Sequence, residues 1–198
     1  MDTKQKIFEK ALDAFAARGY KRTTVRDICR RADVNVAAIN YHFGGKAELY
    51  AEVFAYLFSA TQYGLGENFR PAVGAEEAER FLQVFLRQLV PLRQDNRVRS
   101  LKRRIMLHEL FDPSENFTEL MEKYIRPDVK VVAGWLKLCR PDLNEAELML
   151  KFFALLAEGI FYFEHENFVA SLAGADYVEK NIDAIVAQIM EHALRQSR

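Results

Sequence analysis

Apolar positions recur at helical spacing along almost the whole of this chain. Over residues 3–18, Ile7, Ala11 and Phe15 stand four apart with Phe8 and Leu12 beside them, a stripe that predicts a helix facing a core. Gly19 follows, a residue able to take the left-handed backbone that ends helices. Thr23 or Thr24 then caps a short helix through Arg31, which buries Val25, Ile28 and Cys29. A turn at Ala32-Asp33-Val34 leads to Asn35, a good capping residue for another short helix through Phe43, and Gly44-Gly45 breaks it. A long helix starts near Lys46 and carries Leu49, Val53, Leu57 and Phe58 to about Thr61. Gly64, Gly66, Pro71 and Gly74 then mark a loop.

The second half predicts five longer helices, over 75–92, 95–111, 115–139, 144–166 and 175–196. Their punctuation is Pro91, Asp112-Pro113-Ser114, Arg140-Pro141 and Gly174. Pro127 falls inside the third, where its missing N–H and its ring should kink or split the helix. No segment alternates in the β-branched manner of a strand, and no internal repeat is visible. The expected class is all-α: a three-helix N-terminal domain over 1–50, joined by the long helix to a helical-bundle body over 51–198.

Composition narrows the class. A chain of 198 residues, half of them hydrophobic, is long enough for a sizeable core and too apolar to be disordered. Its net charge of zero says nothing about a partner, but the distribution does. Residues 1–50 hold ten Lys/Arg against six Asp/Glu, and the remainder holds 18 against 22. A basic head on an acidic body suits an end that faces DNA. Cys29 and Cys139 lie too far apart for a metal-spaced set or a disulfide framework, and both read as small hydrophobes in a reducing compartment. Asp2, Lys4 and Lys6 have no apolar run behind them, which gives no sign of a secretory leader. The most apolar stretch, Phe152 to Phe163, is interrupted by Glu158 and is too short for a bilayer. The expectation is a cytoplasmic protein with no membrane partner.

Two short helices joined by a tight turn, after a longer helix, form a helix-turn-helix layout. The second is slim enough for a major groove, and the first braces it against the backbone. Val25, Ile28, Val34, Ile39 and Phe43 would fix their crossing angle. Between core positions of the second sit Val36, Ala37 and Asn40: Asn can read adenine, and small apolar groups can touch thymine methyls. Tyr41, His42 and Lys46 are placed to reach phosphate, and Thr24 offers a hydroxyl at a helix N-terminus. Helix pairs of this kind also occur as plain scaffold.

The run Thr24-Val25-Arg26-Asp27-Ile28, followed by Val34-Asn35-Val36-Ala37-Ala38-Ile39-Asn40-Tyr41-His42-Phe43-Gly44-Gly45-Lys46-Ala47-Glu48-Leu49, closely resembles the DNA-binding domain of the TetR family. The ending Tyr41-His42-Phe43-Gly44, with Lys46 and Leu49 behind it, is among that family's most specific signals, and the match covers about residues 5–58. The resemblance implies that Val36, Ala37 and Asn40 read bases, and that Thr24, Asn35, Tyr41, His42 and Lys46 hold phosphate. Asp33 stands in the turn where many members have Gly, and Asn40 where many have Tyr, which bears on the operator sequence rather than on DNA binding. Arg70-Pro71, the segment Ile105 to Pro113 and Tyr124-Ile125-Arg126-Pro127 are similar to the CecR-like branch, whose helical body binds ligand and dimerises.

The implied function is a sequence-specific transcription regulator, a repressor released from double-stranded operator DNA by a small-molecule effector. Competing readings are an activator, a ligand-independent architectural factor, and a helical interaction protein or small helical enzyme without DNA binding. Phe85, Met106, Trp135 and Phe161 are candidates for an apolar effector pocket with Arg103, His108, Glu109 and Tyr124 as its polar members. Resemblance favours Glu109, since related proteins carry an acid there; a solvated role stands beside the pocket role for His108 and Arg103. The resemblance also makes 144–166 and 175–196 a four-helix homodimer interface. Val178, Ile182, Ile185, Val186, Ile189 and Met190 line the final helix, and in a monomer this stripe could pack on its own body. Gly64-Leu65-Gly66 lacks the third glycine and preceding strand of a phosphate loop. His108-Glu109 lacks a second His, and Glu164-His165-Glu166 diverge around a helix, so neither implies a metal. No cofactor and no enzymatic chemistry are implied.

Overall fold

The structure, a computed structural model, describes residues 2–58, 70–89 and 97–195, and their side chains except those at 99, 163, 164 and 166. Helices α1 (Thr3–Arg22), α2 (Val25–Ala32), α3 (Val36–Phe43) and α4 (Lys46–Phe58) come first. Then follow α5 (Ala75–Leu89), α6 (Arg97–Phe111), the single turn α7 (Phe117–Leu120), a wider π turn over Met121–Ile125, α8 (Arg126–Cys139), α9 (Glu145–Glu164), α10 (Glu166–Ala173) and α11 (Tyr177–Leu194). The fold is all-helical, as the periodicity predicted, and no strand occurs among the described residues. The expected helix ends near Thr61 and beyond Leu89, and the punctuation at Gly64, Gly66 and Pro91, lie outside the described residues.

Several boundaries follow from local chemistry. Asp2 accepts from the Gln5 amide at 2.7 Å and caps α1. The helical path of α1 breaks at Gly19 (φ 74°, ψ 174°), but one more turn follows through Arg22, later than the sequence predicted. Gly19 is required twice over: its φ disfavours side chains, and a Cβ there would lie 3.1 Å from the His108 ring. Thr24, not Thr23, caps α2; Thr23 is buried and donates to the carbonyls of Ala14 (3.1 Å) and Gly19 (2.8 Å).

The segment expected as one helix over 115–139 is split. Pro127 would clash with the carbonyl four residues back in a continuous α-helix. The chain instead widens into the π turn and places Pro127 in the first turn of α8, where its missing N–H costs no intrahelical bond. The helix expected over 144–166 ends at Glu164, and residues 166–173, unassigned by the pattern, form α10. Asn144 and Glu147 close a reciprocal capping box at the start of α9.

The chain divides into two compact units, one over Met1–Ser59 with Asn96–Arg126 and one over Ala60–Asp95 with Pro127–Arg198. In the first, α1 is the hub and packs on α2, α4 and α6. Ile7, Ala11, Phe15, Ile28, Ile39, Leu49, Val53, Phe54 and Ile105 are fully buried there. Each of these side chains larger than Ala contributes about 1.5–3 kcal/mol, so this core holds the short α2 and α3 in place against their own marginal helical stability.

In the second unit, α5, α8, α9 and α11 enclose Phe81, Leu82, Trp135, Leu136, Phe152, Leu155, Ile185 and Ile189. The buried Trp135 indole donates to the Arg70 carbonyl at 2.8 Å. The stripe on α11 is spent inside its own chain: Val178, Ile185, Val186, Ile189 and Met190 are all buried. That corrects the expectation that it serves a dimer contact. Among the described residues α9 leaves Leu150, Phe153, Ile160 and Phe161 exposed, and α10 leaves Phe168 and Leu172.

Candidate nucleic-acid interface

The short helices α2 and α3 are capped by side chains at their N-termini and ended by left-handed backbone at their C-termini. The Thr24 hydroxyl accepts from the Asp27 amide at 3.1 Å and donates to the Asp27 carboxylate at 2.9 Å. Arg30 (2.9 Å) and Arg18 (3.5 Å) flank the same carboxylate. The Thr24 hydroxyl, then the two guanidinium groups, hold the Asp27 carboxyl below its ordinary range. Asp33 ends α2 in left-handed backbone (φ 54°, ψ 54°), the geometry that Asp accepts better than most residues. Asn35 caps α3 by accepting from the Ala38 amide at 3.0 Å, and Gly44 (φ 92°) ends it.

These ends orient α3. Ile39 and Phe43 point into the core, and Val25 and Val34 pack against it partly buried. The opposite side presents Val36, Ala37, Asn40 and Tyr41 to solvent, Tyr41 at 86 % exposure. An exposed tyrosine on a short helix that buries only two residues is not held there by packing. His42 is half-buried with its ring edge-on to Tyr41 at 5.0 Å. The face carries one hydrogen-bonding amide, two small apolar groups and a phenol, a set matched to base edges and backbone phosphate.

Lys46, expected to reach phosphate, opens α4. It is half-buried, and its ammonium lies 4.0 Å from the centroid of the Tyr20 ring. Burial lowers its pKa, and the negative field of Glu115 works in the other direction. Tyr20 is itself packed against Phe15 (6.2 Å) and Tyr50 (5.0 Å). Ring contacts between different helices leave no local spacing signal, so the amino-acid sequence holds no sign of the Tyr20–Tyr50 contact.

With this geometry in place, residues 7–53 match the family model described as bacterial regulatory proteins, tetR family. Residues 78–197 match the model for the C-terminal domain of the HTH-type transcriptional dual regulator CecR. The chain belongs to the tetR family. It is a DNA-binding transcription regulator with a CecR-type C-terminal domain. CecR of Shigella flexneri is 29% identical over 174 residues, covering 78% of this chain and 73% of that protein. The regulator YhgD of Bacillus subtilis is 26% identical over 176 residues, 84% of this chain and 87% of its own. A transcriptional regulator of Rhodococcus sp. Rha1 has the same fold, with a TM-score of 0.63 at 20% identity over 99% of this chain and 100% of that one.

The tetR-family match ends near Val53, but the compact unit that contains α1–α4 also recruits α6, α7 and the π turn from the region of the CecR match. The eight candidate effector residues are consequently divided. Arg103, Met106, His108, Glu109 and Tyr124 belong to the unit with the DNA-binding helices. Phe85, Trp135 and Phe161 belong to the other. Trp135 and Phe85 are core residues with ring centroids 6.5 Å apart, and Phe161 is exposed and stacks on His165 at 4.9 Å. Met106 and Tyr124 pack against the first core, Tyr124 beside Phe54 at 5.8 Å.

Glu109 is buried and fully engaged. One oxygen accepts from the Tyr50 phenol at 2.6 Å, and the other from the Ser114 amide (3.1 Å) and hydroxyl (3.0 Å). Its acidity thus serves a contact between α4, α6 and the turn at 112–116. Burial and the neighbouring carboxylate raise the pKa of the Tyr50 phenol, so the phenol stays protonated and keeps donating. Among the described residues no helix is long and apolar enough to cross a membrane.

Proposed function

We propose that this tetR-family regulator binds its operator as a homodimer, acts as a repressor, and is released by a small-molecule effector bound in its C-terminal body. The observation that supports it best is the solvent face of α3, which exposes Val36, Ala37, Asn40 and Tyr41; in this reading Val36, Ala37 and Asn40 touch bases, while Thr24, Asn35, Tyr41, His42 and Lys46 hold phosphate. On the same reading residues 1–50 read DNA and 51–198 hold effector and partner, with 96–126 packed in the compact unit of the DNA-reading helices. Release requires that the effector bind more tightly to a form in which the two α3 helices no longer match successive major grooves.

The homodimer reading rests on α9. Its exposed Leu150, Phe153, Ala154, Ala157, Ile160 and Phe161 recur at three- and four-residue steps, a stripe suited to helix pairing. Two copies joined there carry two reading helices, which a two-fold operator needs about 34 Å apart. The effector belongs to the apolar body; Phe85, Trp135 and Phe161 are candidates there, and Glu109 is already occupied by Tyr50 and Ser114.

Fluorescence anisotropy on DNA from upstream of the protein's own gene, against a scrambled duplex and across a salt series, tests this reading. Tight, selective, salt-sensitive binding at two protomers per site supports it. Equal weak binding to both duplexes counts against a self-regulatory operator. A reporter with and without the gene separates repression from activation, which matters because the CecR relative is described as a dual regulator.

A further inference from the structure

Gly19 takes the chain out of the helical path of α1 (φ 74°, ψ 174°), so the turn that follows starts in a new direction with Tyr20 at its head. That turn is fixed at both ends. The Thr23 hydroxyl donates to the Gly19 carbonyl at 2.8 Å, and the Thr23 amide to the Tyr20 carbonyl at 3.2 Å. The Tyr20 ring packs on two fully buried rings, Phe15 at 6.2 Å and Tyr50 at 5.0 Å. Tyr50 is in turn pinned by its 2.6 Å hydrogen bond to Glu109. On this braced ring lies the Lys46 ammonium, 4.0 Å from the centroid, well inside the range of a cation–π contact. All of these residues belong to the one compact unit that holds the DNA-binding helices.

We infer that Tyr20 is a positioning residue for DNA binding, its ring holding the Lys46 ammonium at the head of α4 in place for backbone phosphate. The inference rests on the reading of Lys46 as a phosphate contact. A lysine on a flexible four-carbon stem loses rotamer freedom when it meets phosphate, and one already laid on a ring has lost much of it beforehand. A ring does this without the drawback of a carboxylate partner. It carries no net charge to cancel that of the ammonium, and it is no competing anion for the N–H donors. Filling the core at position 20 needs only an apolar side chain of the right size. Holding Lys46 needs an electron-rich face, and that difference separates the two roles by experiment.

Tyr20→Phe, Tyr20→Leu and a trifluorinated phenylalanine in place of Tyr20, each made with and without Lys46→Ala, test the inference. Anisotropy on the upstream and scrambled duplexes gives affinity, and urea unfolding checks that each variant is folded. Fluorine withdraws electrons from the ring face while nearly keeping the shape, so this variant remains informative if Tyr20→Leu fails to fold. Tyr20→Phe should bind as the parent does. Tyr20→Leu and the fluorinated ring should weaken binding to both duplexes about threefold to tenfold, and should add no loss to Lys46→Ala. In the free protein the Lys46 side-chain protons, assigned by their loss in Lys46→Ala, should resonate upfield in the parent and Tyr20→Phe but not in Tyr20→Leu. A fluorinated variant that binds like Tyr20→Phe overturns the positioning role, as does an equal loss with and without Lys46. Tighter binding by Tyr20→Leu overturns it as well, since the ring would then restrain Lys46 from DNA. In those three cases a loss on Lys46→Ala alone leaves the phosphate reading standing. If Lys46→Ala binds as the parent does, or the parent binds no duplex, the phosphate reading fails first and the inference with it.

Discussion

The Tyr50 phenol donates a 2.6 Å hydrogen bond to the buried carboxylate of Glu109, fifty-nine residues further along the chain. Tyr50 lies on α4, which leads out of the DNA-reading helices, and Glu109 lies near the end of α6. The bond therefore ties the first part of the sequence to the second inside one core. Removing the phenol leaves a buried acceptor short of a partner. Tyr50→Phe should lower stability by about 1.5–3 kcal/mol, the range for a hydrogen bond to a charged group. Glu109→Gln, which keeps an acceptor for Tyr50, should cost less than Glu109→Ala. Urea unfolding of the three variants measures the order, and equal midpoints for Gln and Ala would deny the bond its role.

The α3 face makes a prediction that separates base from phosphate contacts. Asn40→Ala should weaken operator binding by about 1–3 kcal/mol and leave binding to scrambled DNA as it was. Tyr41→Ala should weaken both duplexes together. Both side chains are exposed, so circular dichroism of the variants should match the parent. Anisotropy on the two duplexes provides the readout, and a uniform loss for Asn40→Ala would move that residue from bases to backbone.

The exposed stripe on α9 predicts where association can be broken. Phe153 is 59% exposed in the single chain, so Phe153→Glu disturbs no core of its own. In a dimer built on α9 it would bury a charge without a partner, and sedimentation equilibrium should then show monomers. A Phe153→Glu protein that sediments as the parent does would place the dimer contact elsewhere.

Acid stability should depend on Asp142. The Arg140 guanidinium beside it lowers its pKa to about 2, and the same arginine donates to the Leu194 and Arg195 carbonyls at the end of α11. A depressed carboxylate pKa stabilises the folded form above the unfolded value, near 4, and the gain fades as pH falls toward 2. Asp142→Asn should accordingly melt below the parent at pH 6, with the gap closing by pH 2. A gap independent of pH would show that the pair contributes through packing instead.

Most of the helices, and the face of α3 that meets solvent, were legible in the amino-acid sequence, because they depend on short-range chemistry. Period, caps and left-handed turn residues act within a few positions, and Asp2, Thr24, Asn35, Asp33 and Gly44 do locally what their side chains or backbones favour. The tetR-family signature at residues 34–49 is equally local.

Tertiary structure decided what depends on partners distant in sequence. An apolar stripe states that a helix buries one face but not against what, so α11 and α9 looked alike until packing buried Ile185 and Ile189 and left Phe153 open. An acid in a helix does not announce a tyrosine fifty-nine residues away, so Glu109 read as a ligand group until its oxygens were found on Tyr50 and Ser114. Lys46 likewise was a cation by sequence; only the fold laid it on the ring of Tyr20.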